Sequence, residues 1–309
     1  MGTRELLIYQ ADAFTDRAFA GNPAAVCLLP GSALPLADST RQHIASEMNL
    51  SETAFLEALD EGGDFHKCQR FRLRWFTPAV EVPLCGHATL AAAAALFQGE
   101  GSNVELLRFE TNSGELTVRR QADGSGGGLL CMDFPSVATT ADVPAGMGID
   151  SELVKAIVKD TSAVEVVLYA PSVRYLTVVL RDTEANAADE ALLSLRPHAQ
   201  QLEAAYTRGQ LTGVIVTAQG GSNSSYDFTS RFFAPWAGIP EDPVTGSAHC
   251  VLGPFWAGRL GKTKLRARQC SPRGGDLWVT VDEAAGRVEL AGHAVLVMKG
   301  HLLLPKEAL

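Results

Sequence analysis

The sequence predicts an α/β (α+β) fold of two similar domains, each a β-sheet curled around one central α-helix. Three observations carry this. The chain has 309 residues, which at about 100–200 residues per domain suits two. Two segments share the frame Pro-x-x-Gly-x-Ala: Pro83-Leu84-Cys85-Gly86-His87-Ala88 and Pro243-Val244-Thr245-Gly246-Ser247-Ala248. Self-similarity of this kind is a sign of internal repetition. Each segment runs into a stretch that is apolar on every side, and such a helix has to be buried all round.

The elements follow in order. Leu6–Phe14 reads as a strand, and Asn22-Pro23 breaks the chain before a second strand, Ala24–Leu29. Asp38 or Ser39 can cap a helix through Met48 that carries Ile44, Ala45 and Met48 on one face. Asn49 suits a left-handed stop. Glu52–Leu56 then starts a strand, and Phe71–Phe76 alternates as a half-buried one. After the first Pro-x-x-Gly-x-Ala turn, the apolar helix extends to Phe97. Leu106–Glu110 and Gly114–Arg119 form a hairpin around Thr111-Asn112-Ser113. The glycine-rich connection Asp123–Gly128 marks the domain boundary, giving domains 1–125 and 126–309.

The second half repeats this logic. A strand at Leu129–Phe134 leads to a helix near Ser151–Val158, then strands at Val164–Leu168 and Tyr175–Leu180. A polar helix from Ala188 to Ala205 is interrupted at Pro197. Strands at Gly213–Ala218 and Tyr226–Phe233 lead into the second turn, whose helix runs to about Trp256. Arg266–Cys270, Leu277–Val281 and Val288–Leu290 follow. A last strand, Ala294–Leu304, is interrupted at Lys299-Gly300. Its end, 296–309, can return to the first domain. Phe76-Thr77-Pro78 and Phe233-Ala234-Pro235 precede the two turns in matching places, which strengthens the case for duplication.

Composition narrows the function. A net charge of −9 argues against a nucleic-acid partner, which needs clustered Lys and Arg. The basic residues of Arg70–Arg74 and Lys262–Arg268 alternate with apolar ones, as on the wet faces of strands. Six scattered cysteines without a C-x-x-C pair fit a reducing cytoplasm. The N-terminus lacks the pattern of a signal peptide, and the longest apolar run is too short to span a bilayer. No dinucleotide or phosphate-loop glycine motif is present, nor zinc-ligand spacing. No nucleotide or metal cofactor is therefore expected.

The polar residues at the turns bring in chemistry. A helix start presents unpaired N–H groups and the positive end of its dipole, suited to a carboxylate or an enolate. Gly86 and Gly246 let a ligand come close to the backbone. The first turn carries Cys85 and His87; the second carries Thr245, Ser247 and His249, with Asp242 just ahead. His87 is either a satisfied half-buried histidine or a proton relay. Asp242 either fixes the turn before Pro243, orients His87 or meets a substrate amine. Ser247 is either an ordinary first-turn residue or a carboxylate donor. Asn22 is either a turn residue or a substrate contact, and Cys85 either an inert buried thiol or a reactive one.

At this point the chain resembles the phenazine-biosynthesis isomerase-like (PhzF-like) family, relatives of diaminopimelate epimerase and proline racemase. The resemblance rests on Asp12-Ala13-Phe14, Gly21-Asn22-Pro23-Ala24, Met48–Phe55, Phe76-Thr77-Pro78, Cys85–Thr89, Thr111–Gly114 and Glu241–His249 in this order. It implies two antiparallel sheets, each curled around a helix, with the active site between the domains. It implies that Glu52 moves a proton on a small carboxylate-bearing substrate, with His87, Asp242 and Ser247 lining the site. Asn22, Cys85, Gly86, Thr245 and Gly246 are the expected substrate contacts. It also implies a homodimer. Two-thiol racemases of the wider superfamily use a cysteine at each turn. Thr245 stands where the second would be, and a hydroxyl is far too weak an acid to replace it. A catalytically reduced ligand-binding or protein-interaction member of the same fold is the alternative.

Overall fold

The computed structural model describes residues 3–29, 36–60, 62–122, 128–141, 143, 151–181, 187–222 and 224–305. The chain divides into two compact units, Met1–Asp133 with Ala291–Leu309, and Phe134–Leu290.

In the first unit the elements are β1 (Thr3–Ala13), β2 (Asn22–Leu29), α1 (Asp38–Met48), β3 (Glu52–Ala58), β4 (Arg70–Phe76), β5 (Glu81–Val82), α2 (Gly86–Ala94), β6 (Leu106–Thr111), β7 (Gly114–Gln121) and β8 (Leu129–Pro135), which runs over the division. The closing strand, Ala294–Pro305, also belongs here. The closing strand pairs with β1, then β1 with β2, β2 with β3, β3 with β4, β4 with β6, β6 with β7 and β7 with β8. Two of these pairs are parallel, β2–β3 across α1 and β4–β6 across α2. The sheet is thus mixed where the resemblance implied an antiparallel one. A parallel neighbour needs a crossover, and the two helices supply it.

The second unit contains α3 (Ser151–Val158), β9 (Val164–Ala170), β10 (Tyr175–Leu180), α4 (Ala187–Ser194), α5 (Ala199–Ala205), β11 (Gly213–Gln219), β12 (Phe228–Ala234), β13 (Ile239–Asp242), α6 (Gly246–Leu260), β14 (Lys264–Gln269), β15 (Gly275–Asp282) and β16 (Arg287–Gly292). Its pairing repeats the first unit step by step. β9–β10 is antiparallel, β10–β11 parallel, β11–β12 antiparallel, β12–β14 parallel and β14–β15 antiparallel. Helices α4 and α5 stand where α1 stands, and α6 where α2 stands.

The registers align the two units residue by residue. Phe76 pairs with Thr53, and Phe233 pairs with Val214. These phenylalanines open the two matching Phe-x-Pro segments. Glu52, one residue before Thr53, therefore corresponds to Gly213. A Cβ on Gly213 would lie 2.3 Å from the Phe232 ring, so the second unit has no room for a side chain there.

Burial follows the sequence pattern. His87–Ala94 of α2 are all buried, and the helix packs against β1, β2, β3 and the closing strand. Strand β2 has helices on both faces. Ala25, Cys27 and Leu29 join Ile44 and Ala45 of α1 in one cluster. By alternation, Ala24, Val26 and Leu28 face the other way, and they are buried too. In the second unit Leu153, Ile157, Leu192 and Leu202 cover Leu176, Val178, Val214 and Val216.

Four expectations need correction. The boundary lies after Asp133, beyond the glycine-rich connection, because Leu129–Met132 pair with β7; residues 123–127 of that connection lie outside the described residues. Ala37 is the N-cap of α1 and makes no side-chain cap bond. Asp38 sits in the first turn, where its carboxylate meets Arg41 and Arg74. Helix α6 passes Trp256 to Leu260 despite Pro254, ending on a left-handed Gly261. The closing strand runs unbroken through Lys299-Gly300, since Tyr9 and Ile8 pair with them and the register shift falls nearer Gln10.

Two tight backbone sites aim the residues that matter. Asn49 ends α1 in the left-handed region at φ 50°, turning the chain into Ser51 and Glu52. Gly21 has φ +63°, and a Cβ there would lie 2.1 Å from the Ala13 carbonyl oxygen. Gly21→Ala is expected to cost about 3 kcal/mol through backbone strain and the clash. Urea unfolding of the variant checks this, and an unchanged midpoint would contradict it.

Candidate active site

The first turn gathers four of the expected residues in one unit. Cys85 is the N-cap of α2 with extended backbone, φ −148° and ψ 111°. Its carbonyl accepts from Thr89 N at 3.1 Å and from Thr89 Oγ1 at 2.6 Å. His87, the second helical residue, points at the start of β3. Its Nε2 lies 2.9 Å from Glu52 Oε2. Its Nδ1 lies 3.1 Å from Asn22 Nδ2 and 3.5 Å from Cys85 Sγ. Ser51 Oγ donates to Asn22 Oδ1 at 3.2 Å. Glu52 is 8 % exposed, His87 5 % and Asn22 0 %, so this is a polar set inside the protein. Glu52 Oε2 and His87 Nε2 face each other without an aligned hydrogen bond. Such buried atoms are rare in native proteins and call for an explanation.

The charges in this set are coupled. Burial disfavours an imidazolium at His87, but its contacts with Cys85 and Glu52 outweigh it and hold its pKa well above 6.5. The Cys85 thiol is itself pushed up, by burial first and Glu52 second. With its pKa raised the thiol keeps its proton, and the Glu52 carboxylate beside Nε2 favours charge on the ring.

Glu52, Cys85 and His87 are also the one group of metal-ligating type found among the described residues, their donor atoms lying within 4.8 Å of one another. The carboxylate meets Nε2, while the thiol meets the opposite ring nitrogen. One ion cannot use both contacts, because the two nitrogens direct their lone pairs apart. The arrangement is a chain through the ring, from thiol to carboxylate.

The second turn builds a different set within its own unit. Thr245 is the N-cap of α6, in the place Cys85 holds in α2. Its hydroxyl donates to Asp242 Oδ2 and accepts from Gln269 Nε2 at 3.2 Å. Gln269 also accepts from Thr245 N at 2.9 Å and donates to the Asp242 carbonyl at 2.7 Å. Thr245 is thus held in place by two polar neighbours. Ser247, in the place of His87, lies 2.9 Å from the Tyr175 hydroxyl. Gly246 opens the helix as Gly86 does. His249 matches Thr89: its Nδ1–H donates to the Thr245 carbonyl at 2.8 Å.

The structure thus brings Glu52, His87, Cys85 and Asn22 together and, separately, Asp242, Thr245 and Ser247. Three participants were not singled out from sequence. Ser51 sits inside a motif segment but has no chemistry of its own. Tyr175 reads as the aromatic start of a strand. Gln269 ends a basic strand, and nothing local reveals that its amide ties the second turn together.

Solved structures of other proteins share the fold. A probable proline racemase from Agrobacterium radiobacter is 11 % identical, with a TM-score of 0.55 over 97 % of this chain and 93 % of its own, which shows the fold alone. A phenazine biosynthesis protein of the PhzF family from Enterococcus faecalis is 38 % identical, with a TM-score of 0.78 over 97 % and 99 %. An uncharacterized isomerase of Pseudomonas aeruginosa is 45 % identical over 300 residues, covering 97 % and 99 %. Fold and relatives define an isomerase-type enzyme. A phenazine biosynthesis-like domain-containing protein 2 of Mus musculus is 46 % identical over 301 residues, covering 96 % and 99 %, and the sequence model of the phenazine biosynthesis-like proteins, PhzC-PhzF, matches residues 11–300. The chain belongs to the PhzC-PhzF family. Among the described residues no helix is long and apolar enough to cross a membrane.

His249 gives a pH test of the second turn. Burial lowers its pKa to about 4, against 6.5 for an exposed histidine. Below 6.5 the unfolded chain takes up a proton that the folded one refuses. Stability is therefore expected to fall as pH drops from about 6.5 to about 4, by up to about 3 kcal/mol. Urea midpoints across this range should fall less steeply in His249→Gln than in the wild type; equal slopes would contradict the assignment.

Proposed function

We propose that the protein is a cofactor-independent isomerase that moves a proton on a small carboxylate-bearing metabolite, with Glu52 as both acid and base. The buried Glu52–His87 contact carries this reading: a carboxylate held beside an imidazole, at the foot of a helix start, without an aligned hydrogen bond. A substrate carbon acid would complete the set. Glu52 takes a proton from carbon, and the electrons of the broken C–H bond pass into the conjugated carboxylate as an enolate. The Gly86 and His87 N–H groups at the start of α2 stabilise that charge. A proton then returns from Glu52 to a different carbon.

His87 holds Glu52 in this scheme and lines the site beside it. Asp242 and Ser247 keep the substrate-lining role that the resemblance implies, with Thr245 and Gly246 shaping their turn. Gly213 supports assigning the proton transfer to one carboxylate, since the second unit has no side chain at the Glu52 position. A homodimer in the cytoplasm completes the reading; six cysteines scattered without a C-x-x-C pair fit a reducing compartment.

A thermal-shift screen of small carboxylic acids tests this. A ligand at 100 times its Kd should add about 2.7 kcal/mol of stability. Each hit is then incubated in deuterium oxide. The wild type should incorporate deuterium at carbon, and Glu52→Gln should slow this by about 10²–10⁴-fold while still binding. Full exchange in Glu52→Gln would sink the assignment. Binding without exchange in the wild type would favour a ligand-binding member of the fold.

A further inference from the structure

We infer that Asn22, oriented by Ser51, is a positioning residue that sets the tautomer of His87, keeping Nδ1 as a lone pair and the proton on Nε2 toward Glu52. This rests on the reading of Glu52 as the acid–base group and assigns Asn22 a task other than touching substrate.

The argument starts from what each neighbour of the ring can do. An amide nitrogen only donates, and Asn22 Nδ2 stands 3.1 Å from His87 Nδ1. Nδ1 must then accept. The Cys85 thiol lies 3.5 Å from the same nitrogen, and its sulfur takes a backbone hydrogen bond from Ala88. With the thiol protonated, its one proton is left for Nδ1. Two donors from different elements, β2 and the cap of α2, therefore converge on one lone pair. On the other side of the ring, the Glu52 carboxylate oxygen Oε2 from β3 faces Nε2 at 2.9 Å as an acceptor. A neutral imidazole meets all three neighbours only as the Nε2–H tautomer.

Ser51 holds the other end of the amide, its Oγ donating to Asn22 Oδ1 at 3.2 Å. The backbone is built for this pair. Gly21 in the left-handed region leads into Asn22, and Pro23 follows at once. Asn49, also left-handed, leads into Ser51. The nearby carboxylate of Asp12 on β1 accepts from Phe19 N at 2.7 Å.

Protonating Nδ1 would set an N–H against the Asn22 amide and the thiol. Asn22 thus opposes the imidazolium that Glu52 favours. The pair leaves His87 able to donate to Glu52 without permanently tying it up in a full ion pair, and a free carboxylate is the one that can remove a proton from carbon.

Nitrogen NMR of the histidine rings in the resting protein tests this with no substrate, the His87 signals being assigned by their loss in His87→Asn. Above its titration, wild-type His87 should show an unprotonated Nδ1 and a protonated Nε2. In Asn22→Ala the His87 pKa should rise by about one unit, as expected for losing a hydrogen bond that opposes the charged form. In Asn22→Asp it should rise further. Ser51→Ala, which leaves Asn22 in place, should give a smaller shift in the same direction and serves if the Asn22 variants do not fold. A protonated Nδ1 in the wild type would overturn the inference. So would a His87 pKa unchanged or lowered in Asn22→Ala, or in Ser51→Ala if that variant alone folds. Should the tautomer be as stated while Glu52→Gln keeps full deuterium exchange, the proposed function fails and this inference stands.

Discussion

The burial of α2 from His87 to Ala94 is the constraint on which the first unit depends. A helix of Gly-His-Ala-Thr-Leu-Ala-Ala-Ala-Ala has no face fit for water, so something has to cover each side. Strands β1, β2 and β3 with the closing strand do so. Only a curled sheet can present that many strands to one short helix. The small alanines let the strands come near, and the helix start becomes a fixed point. His87 is carried there at the second position, where its own backbone N–H has no partner within the helix. Polar chemistry is possible in such a place only because the set supplies its own contacts: Glu52, Asn22 and Cys85 meet the ring nitrogens from both sides, and Ser51 holds Asn22.

The second unit reuses the frame and changes its content. The pairing sequence of the strands is the same, including the two parallel steps where helices cross over. The side chains at matching points differ in kind. Glu52 becomes Gly213, Cys85 becomes Thr245, His87 becomes Ser247 and Thr89 becomes His249. The first set is made of titratable groups whose charges oppose or favour one another. The second is made of neutral donors and acceptors, with Asp242 as its one carboxylate and His249 held neutral by burial. Tyr175, from the strand beside Gly213, supplies the partner to Ser247 that the missing side chain does not.

The left-handed residues explain why the site motifs look as they do. Gly21-Asn22-Pro23 and Asn49-Leu50-Ser51-Glu52 are sharp entries into adjacent strands that pair in parallel, with Ala24 beside Glu52. Parallel pairing places the starts of both strands at the same end of the sheet, next to the start of α2. Three segments far apart in sequence therefore deliver their polar residues to one point.

The sequence alone determined the plan. Two apolar helices, each opened by the same turn and preceded by the same Phe-x-Pro, imply two similar units, because an all-apolar helix leaves no other choice than enclosure. The strands were legible from alternation, as at Phe71, Leu73 and Trp75, and Asn49 from its place after an amphipathic helix. Glu52 and His87 were legible as candidates through the order of motifs. Their contact was not, for it depends on which strands pair and in which direction. Tertiary structure alone decided that β2 and β3 lie parallel, that Gly213 takes the position in the second unit that Glu52 takes in the first, and that Gln269 binds the second turn. It also decided the partners of each nitrogen of His87. Hydrogen bonds are set by distances of a few tenths of an ångström between residues remote in the chain, and no local pattern of apolar and polar residues encodes them.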